Sequence, residues 1–269
     1  MAQLDDQRYL RGEQYRDASN LEKRASLHDR FSTNPTGWSA WMAAALDFPK
    51  EARVLEIGAG PGYLWRSQGE QLPSGWQVTL SDFSPGMVAQ AQSGLAGASR
   101  AYRFAVLDAQ NLPFPAESFD GVIANHMLYH VPDRPRALAE IQRVLCPGGR
   151  FFAATNGKDH LRELREWIAR AADLSGEQIE ARFLPFSLEN GLDQLTAHFQ
   201  DVKMTPYFDS LEVTQAEPLV AYVQSMMGVY RQPAVQNATG RLRELLEAEI
   251  LTRGAVHISK DSGLFSARK

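Results

Sequence analysis

Cysteine is all but missing from this 269-residue chain, with Cys146 standing alone. One thiol excludes an internal disulfide and any cysteine-built metal cluster, so no metal is expected. An excess of positive charge is missing too. Lys and Arg number 28 against 32 Asp and Glu, a net charge of −4. That balance excludes a global basic surface and argues against a nucleic-acid partner. No window approaches the roughly 18 consecutive apolar residues of a membrane span. The N-terminal stretch MAQLDDQRYLRGEQYRD has no apolar signal core. Together these absences predict a soluble, cytoplasmic protein without a membrane partner. Neither an internal repeat nor a low-complexity tract is found.

What is present is enough apolar sequence, 44% of residues, to bury a full core. One elaborated domain over 1–269 is therefore expected instead of two independent ones. Apolar runs bounded by turn residues predict strands at 53–57, 76–80, 102–107, 119–124 and 150–154. Ser84 and Pro85 open a helix before MVAQAQ. Pro135 precedes RALAEIQRVL, where Ala137, Leu138, Ile141, Val144 and Leu145 share a face, and CPGGR stops that helix. Strands alternating with helices predict an α/β fold, a mostly parallel Rossmann-like sheet covered on both faces. This core occupies 51–158. Residues 1–50 read as a helical cap, with Leu21, Ala25, His28 and Phe31 on one stripe and a second helix near 38–46. The stretch 159–252 reads as lid helices at 159–174, 187–199, 215–228 and 236–252, with one strand near 200–213. A capping box of Thr214 and Glu217 is expected to open the third of these. The terminal segment 253–269 reads as a strand pair or a strand bulged around Asp261–Gly263.

The stretch VLEIGAGPG, 54–62, sets three glycines directly after a buried-looking strand. Gly58, Gly60 and Gly62 let backbone pass close to a ligand. In the dinucleotide fingerprint the third glycine would stand at 63, where this chain has Tyr63, which argues against NAD or FAD. Glu56 would repel a pyrophosphate and would tolerate a cationic ligand. Asp82 ends the second strand, where an acid accepts hydrogen bonds from a ribose diol. Asp108 ends the third, within reach of an adenine edge, and Asn125 and His126 end the fourth. All four clusters fall at strand C-termini, the crevice where open α/β sheets bind ligands.

The segments VLEIGAGPG, LSDFSPGM, LDAQNLPFPAESFDGVIANHMLYHVPD and RVLCPGGRFF resemble, in order and spacing, the class I S-adenosylmethionine-dependent methyltransferases. The likeness is to the small-molecule type related to ubiquinone and menaquinone biosynthesis, the methyltransferase type 11 domain, and covers roughly 53–155. The resemblance implies a seven-stranded sheet whose last strand is antiparallel. It implies S-adenosyl-L-methionine as cofactor and S-adenosyl-L-homocysteine as product. Gly58, Ala59, Gly60 and Gly62 would surround the methionine part, Glu56 its ammonium group and Asp82 the ribose. Phe83 and Met87 would flank the adenine, Asp108 and Ala109 would meet its edge, Asn125 would face the sulfonium side, and His126 is counted among the cofactor-binding residues.

Each site has a plainer reading beside the functional one. The glycines make a tight turn, Asp82 a helix N-terminal acid, Asp108 a loop cap, and Asn125 a residue that satisfies turn backbone. Cofactor binding is favoured for the loop, for Asp82 and for Asp108. His130 either braces the turn before the next helix or acts as the catalytic general base. Orientation of two reactants contributes about 7–11 kcal/mol and a general base ~3–5 kcal/mol, so positioning outweighs proton transfer. Among the cap aromatics, Tyr15 is the expected lid over the cofactor, and Trp38 and Tyr207 are expected on the substrate side. Arg8, Arg11 and Arg16 read as a solvated helix face. The function that follows is methyl transfer by in-line displacement to an O, N or C atom of a small-molecule acceptor, by a monomer or homodimer. Its rivals are a catalytically silent S-adenosylmethionine-binding regulatory or partner protein, an RNA or DNA methylase, and a nicotinamide oxidoreductase. NHML at the fourth strand carries neither the Pro-Pro-aromatic nor the Pro-Cys signature of nucleic-acid methylases.

Overall fold

A computed structural model describes residues 5–174, 184–226 and 233–269. The aliphatic runs become β1 (Arg53–Ile57), β2 (Gln77–Asp82), β3 (Tyr102–Val106), β4 (Phe119–Asn125) and β5 (Leu145–Asn156), and two longer strands follow, β6 (Gln200–Val213) and β7 (Val256–Arg268). They form one sheet in the order β3-β2-β1-β4-β5-β7-β6. The first five strands run parallel, and β7 is antiparallel to both of its neighbours. The helices are α1 (Gln7–Tyr9), α2 (Ser19–Phe31), α3 (Trp38–Ala45), α4 (Tyr63–Gln68), α5 (Pro85–Gly94), α6 (Arg134–Val144), α7 (Arg162–Ala171), α8 (Gly191–Thr196), α9 (Ala216–Ser225), α10 (Pro233–Asn237) and α11 (Thr239–Arg253).

Central strands covered on both faces need near-continuous aliphatic sequence, because neither set of alternating side chains meets water. Leu55, Ile57, Val122, Ala124 and Phe151 face one layer, where they pack with Leu138, Ile141 and Val144 of α6. Val54, Ile123 and Phe152 face the other, with Met42 of α3 and Leu64 and Trp65 of α4. A third core lies off the sheet's end and joins α2, α7, α9 and α11 to β6 and β7 through Leu27, Ile168, Leu219, Val220, Leu242, Leu246 and Ile258. Each such buried aliphatic contributes roughly 1.5–3 kcal/mol. The chain passes from β1 outward to β3 and then returns to β4 on the other flank of β1. This reversal places the β1 and β4 tips side by side, which opens a crevice at the strands' C-terminal edge.

Several expected elements differ in detail. The capping box at Thr214 is not formed: Gln215 is the N-cap of α9 and makes no side-chain cap bond. β6 keeps the backbone extended to Val213, and the Glu217 carboxylate is drawn to Arg243 of α11 at 2.6 Å. α9 ends at Ser225, and 227–228 of the predicted helix lie outside the described residues. The segment 187–199 supplies only the six-residue α8. The terminal segment is one continuous strand, paired with β6 from Lys203–Ser266 through Val213–Val256 without a break, so no hairpin or bulge forms at Asp261–Gly263. α6 stops at Val144, ahead of CPGGR, and that stretch begins β5 with Gly148 at φ +75°.

Candidate active site at the β1–β4 crevice

The loop after β1 has three left-handed glycines, Gly58, Gly60 and Gly62, at φ +68°, +56° and +77°. Three of its amides are already engaged. Ala59 N donates to Ser81 O at 2.9 Å, Gly62 N to Ala59 O at 3.0 Å, and Gly60 N to Asp82 Oδ2 at 2.9 Å. A pyrophosphate site needs such amides free to point at the anion, so this loop presents bare backbone surface in place of a phosphate cradle. Asp82 also accepts from Ser84 N at 2.8 Å, and burial raises its carboxyl above the ordinary range. Glu56 lies beneath the loop, 2% exposed, and accepts a hydrogen bond from Trp65 Nε1 of α4. Burial pushes its carboxyl up to about 7, against the pull of Trp65 and with a smaller push from Asp82.

The other strand tips complete the rim. Phe83 is half-buried under the guanidinium of Arg11, 5.6 Å above its ring. Met87 is buried on α5 and Ala109 at the end of the β3 loop. The Asp108 carboxylate accepts from the backbone of Gln110 at 2.9 Å and from its side-chain amide at 2.9 and 3.0 Å, and so caps its own turn. Asn125 Oδ1 accepts from Trp38 Nε1 at 3.3 Å. His126 holds φ +55°, rare for a residue with a Cβ, and its ring lies 4.9 Å from Trp38.

The N-terminal segment closes over this rim. Ser84, the N-cap of α5, accepts from Met87 N and donates its hydroxyl to Tyr15 O at 2.6 Å. The Tyr15 hydroxyl meets His130 Nε2 at 2.9 Å, with the rings edge to face. His130 thus braces the residue expected to act as lid. Gln14, itself buried, donates to Ser225 O of α9 at 3.3 Å. Arg8, Arg11 and Arg16, expected to be a solvated face, line with Gly12, Ser84, Pro85 and Gly86 an open groove of about 510 Å³.

Trp38 is half-buried between Trp41, His126 and Tyr207. Tyr207 stands behind it, 2% exposed, with its hydroxyl donated to Thr36 O at 2.7 Å and the Lys260 ammonium 5.3 Å from its ring. Burial raises its phenol to about 12.

Sequence reading missed the far side of the crevice. α2 crosses it: Leu21 comes near Gly60, the Arg24 guanidinium lies 5.4 Å over the Tyr15 ring, and His28 lies 6.1 Å from both His160 and Tyr222. Lys260 of β7 pairs with a fully buried Asp209 of β6. Burial works against the charge on Asp209, but bonds from Lys260, Ser32 and Asn34 N hold its carboxyl below the usual range. Burial, then the Lys260 charge, lowers His28 to about 3 and His126 to about 4. His160 is also held well below its ordinary value, by burial and its neighbouring cations. The legible signal was the spacing 21, 24, 28. It places an arginine and a histidine one turn apart on a face that Leu21 directs inward.

A methyltransferase-domain family profile matches residues 55–153. The chain is 30% identical over 174 residues to the ubiquinone/menaquinone biosynthesis C-methyltransferase UbiE of Cellvibrio japonicus, over 63% of this chain and 67% of that one. It is 32% identical over 206 residues to the malonyl-[acyl-carrier protein] O-methyltransferase of Halorhodospira halophila, over 75% of this chain and 64% of the relative. Among the first curated relatives the matched share of their length is as low as 45%. In fold it matches the YcgJ protein of Bacillus subtilis with a TM-score of 0.58 at 19% identity, over 86% of this chain and 97% of that one. With the sheet order, the glycine loop and the strand-tip acids in place, the chain belongs to the class I S-adenosylmethionine-dependent methyltransferases.

Proposed function

We propose that this protein transfers a methyl group from S-adenosyl-L-methionine to a small-molecule acceptor. One observation carries the reading. At the topological reversal a glycine loop with spent amides lies between a buried acid, Glu56, and a strand-tip acid, Asp82. That donor set suits a cationic amino acid joined to a ribose and does not suit a diphosphate. When bound, the cofactor supplies an electrophilic methyl on a sulfonium.

The chain's own residues hold and exclude. Asp82 accepts the ribose hydroxyls, Glu56 carries the charge that matches an ammonium group, and Gly58, Ala59, Gly60 and Gly62 admit the methionine part. Phe83 and Met87 sandwich the adenine, and Asp108 and Ala109 border its edge. Asn125 and His126 stand where the sulfonium side lies. Tyr15, braced by His130, keeps water out, and Trp38, backed by Tyr207, walls the acceptor side. His130 acts through Tyr15, so the rate comes mainly from orientation and not from proton removal. The acceptor atom, O, N or C, is set by what the α2 side admits.

Isothermal calorimetry with S-adenosylmethionine and S-adenosylhomocysteine tests this directly. Micromolar binding is expected, weakened at least tenfold in Asp82→Ala, since bonds to a charged acceptor contribute about 1.5–3 kcal/mol each. Absence of binding by both compounds would refute the reading. Conversion of the methylated to the demethylated cofactor with any metabolite pool separates an enzyme from a silent binder.

A further inference from the structure

Eight buried side-chain nitrogens and oxygens among the described residues have no hydrogen-bond partner, and four of these are Arg24 Nη2, His28 Nδ1, Tyr63 Oη and His126 Nδ1. Arg24 and His28 are one turn apart on α2, Tyr63 interacts electrostatically with Arg24, and His28 with both Arg24 and His126. Folded proteins orphan few such atoms, so a concentration around one helix face points to a missing partner. His28, His126, His160 and Tyr222 each keep part of the residue accessible although α2, α9, the lead-in to α7 and the tips of β4 and β7 surround them and the Nδ1 atoms of His28 and His126 are shut away. They line a hollow.

The character of the missing partner follows from the donors. A guanidinium donates and never accepts. Arg24 Nε donates to Asn20 O at 3.2 Å and Nη1 lies 3.5 Å from Met226 Sδ, but no described carboxylate pairs with it. The neighbouring ammonium of Lys260 is matched by Asp209, and Asp29 on α2 is exposed. A guanidinium enclosed without a counter-charge is costly unless a ligand brings one. His160 is already committed, its Nδ1 accepting from Asp261 N at 3.3 Å, whereas the open nitrogens of His28 and His126 let either imidazole present an N–H. No three of His, Cys, Asp and Glu among the described residues converge as metal ligands, which leaves an anion.

We propose that this hollow binds an oxyanion, a carboxylate or a phosphate, carried by the methyl acceptor. Arg24 supplies the charge, and Tyr63, His28 and His126 supply further hydrogen bonds. That the ligand is the acceptor rests on the methyl-transfer reading; that the hollow is an anion site does not.

The test is calorimetric titration of the full chain, alone and saturated with S-adenosylhomocysteine, with sodium benzoate, inorganic phosphate and benzamide. Binding of benzoate, of phosphate or of both is expected, and it identifies a carboxylate site, a phosphate site or a general oxyanion site. Uncharged benzamide is expected to bind at least tenfold more weakly than the anion that binds. Arg24→Gln should weaken anion binding about tenfold or more and leave the homocysteine compound within twofold, with Arg24→Lys in between. Silence from both anions, equal binding of benzamide, or an Arg24→Gln protein that titrates like the parent overturns the proposal. Should Arg24→Gln fail to fold, the contrast of the anions with benzamide on the parent decides. Should the homocysteine compound fail to bind the parent, the cofactor reading falls while the titration of the chain alone still reports on the hollow.

Discussion

Gly58 shows how much a single position in this site costs. Its φ of +68° is left-handed, and a Cβ placed there would lie 2.6 Å from Cβ and 2.8 Å from Cγ of Met127. Met127 Cβ is fixed to backbone at the β4 tip and cannot swing away. Gly254, at the C-cap of α11, has a similar φ of +86° but faces open space. Alanine at either position pays about 1–2 kcal/mol for the left-handed backbone. Only Gly58→Ala adds an overpacking cost, roughly 1–3 kcal/mol. Urea denaturation of the two variants should therefore separate them by that second amount, with Gly58→Ala the less stable. Equal midpoints would mean that β4 yields to the loop, and that the close approach of the two strand tips is softer than the structure implies.

Among the elements, the lid is tied to the core through the start of α5. Ser84 is 3% exposed and makes two bonds, one to the helix it caps and one to the Tyr15 carbonyl. Ser84→Ala removes both, a loss of about 1–2 kcal/mol or roughly 3–6 °C in melting temperature. Limited proteolysis near residues 10–18 should accelerate as well; a variant that melts lower but is cut no faster would show that other contacts hold the lid. The cap at Ser84 was readable from Ser-Pro ahead of MVAQAQ, as were the five parallel strands from their continuous aliphatic runs, because those signals are local. Thr214 carried an equally local signal that failed, because β6 extended past it and Arg243 took Glu217. The spacing of Arg24 and His28 was local and legible, but their role was not, for a different reason. Their part depends on which side of α2 turns toward the glycine loop, and that is settled by Leu27 packing on the third core, contributed by segments some 140–230 residues further along the chain.

At the scale of the whole molecule, the buried titratable groups give stability a definite pH dependence. An unfolded histidine takes up a proton as pH falls through about 6.5. In the fold His28 resists until about 3 and His126 until about 4, and His160 is also held far down. Between about pH 4.5 and 6.5 the unfolded state therefore binds roughly three more protons at these sites. Glu56 works the other way: folded, it keeps its proton up to about 7, whereas unfolded it loses it near 4.5. Over these four groups the net excess in the unfolded state is about two protons, so together they make stability rise with pH by on the order of 2–3 kcal/mol per unit in this window, an effect that levels off above pH 7. Glu56→Gln removes the opposing proton and keeps an acceptor for Trp65. It should steepen the acid slope toward about 4 kcal/mol per unit and add up to about 3 kcal/mol at pH 8, where the parent holds a buried carboxylate. His28→Asn should instead flatten the slope by about one proton's worth. Denaturant midpoints at half-unit intervals from pH 5 to 8 read all three; if Glu56→Gln were to leave the slope unchanged, Glu56 would be ionised in the fold throughout this range, and its place as the counter-charge beneath the glycine loop would need no proton release when a cation binds.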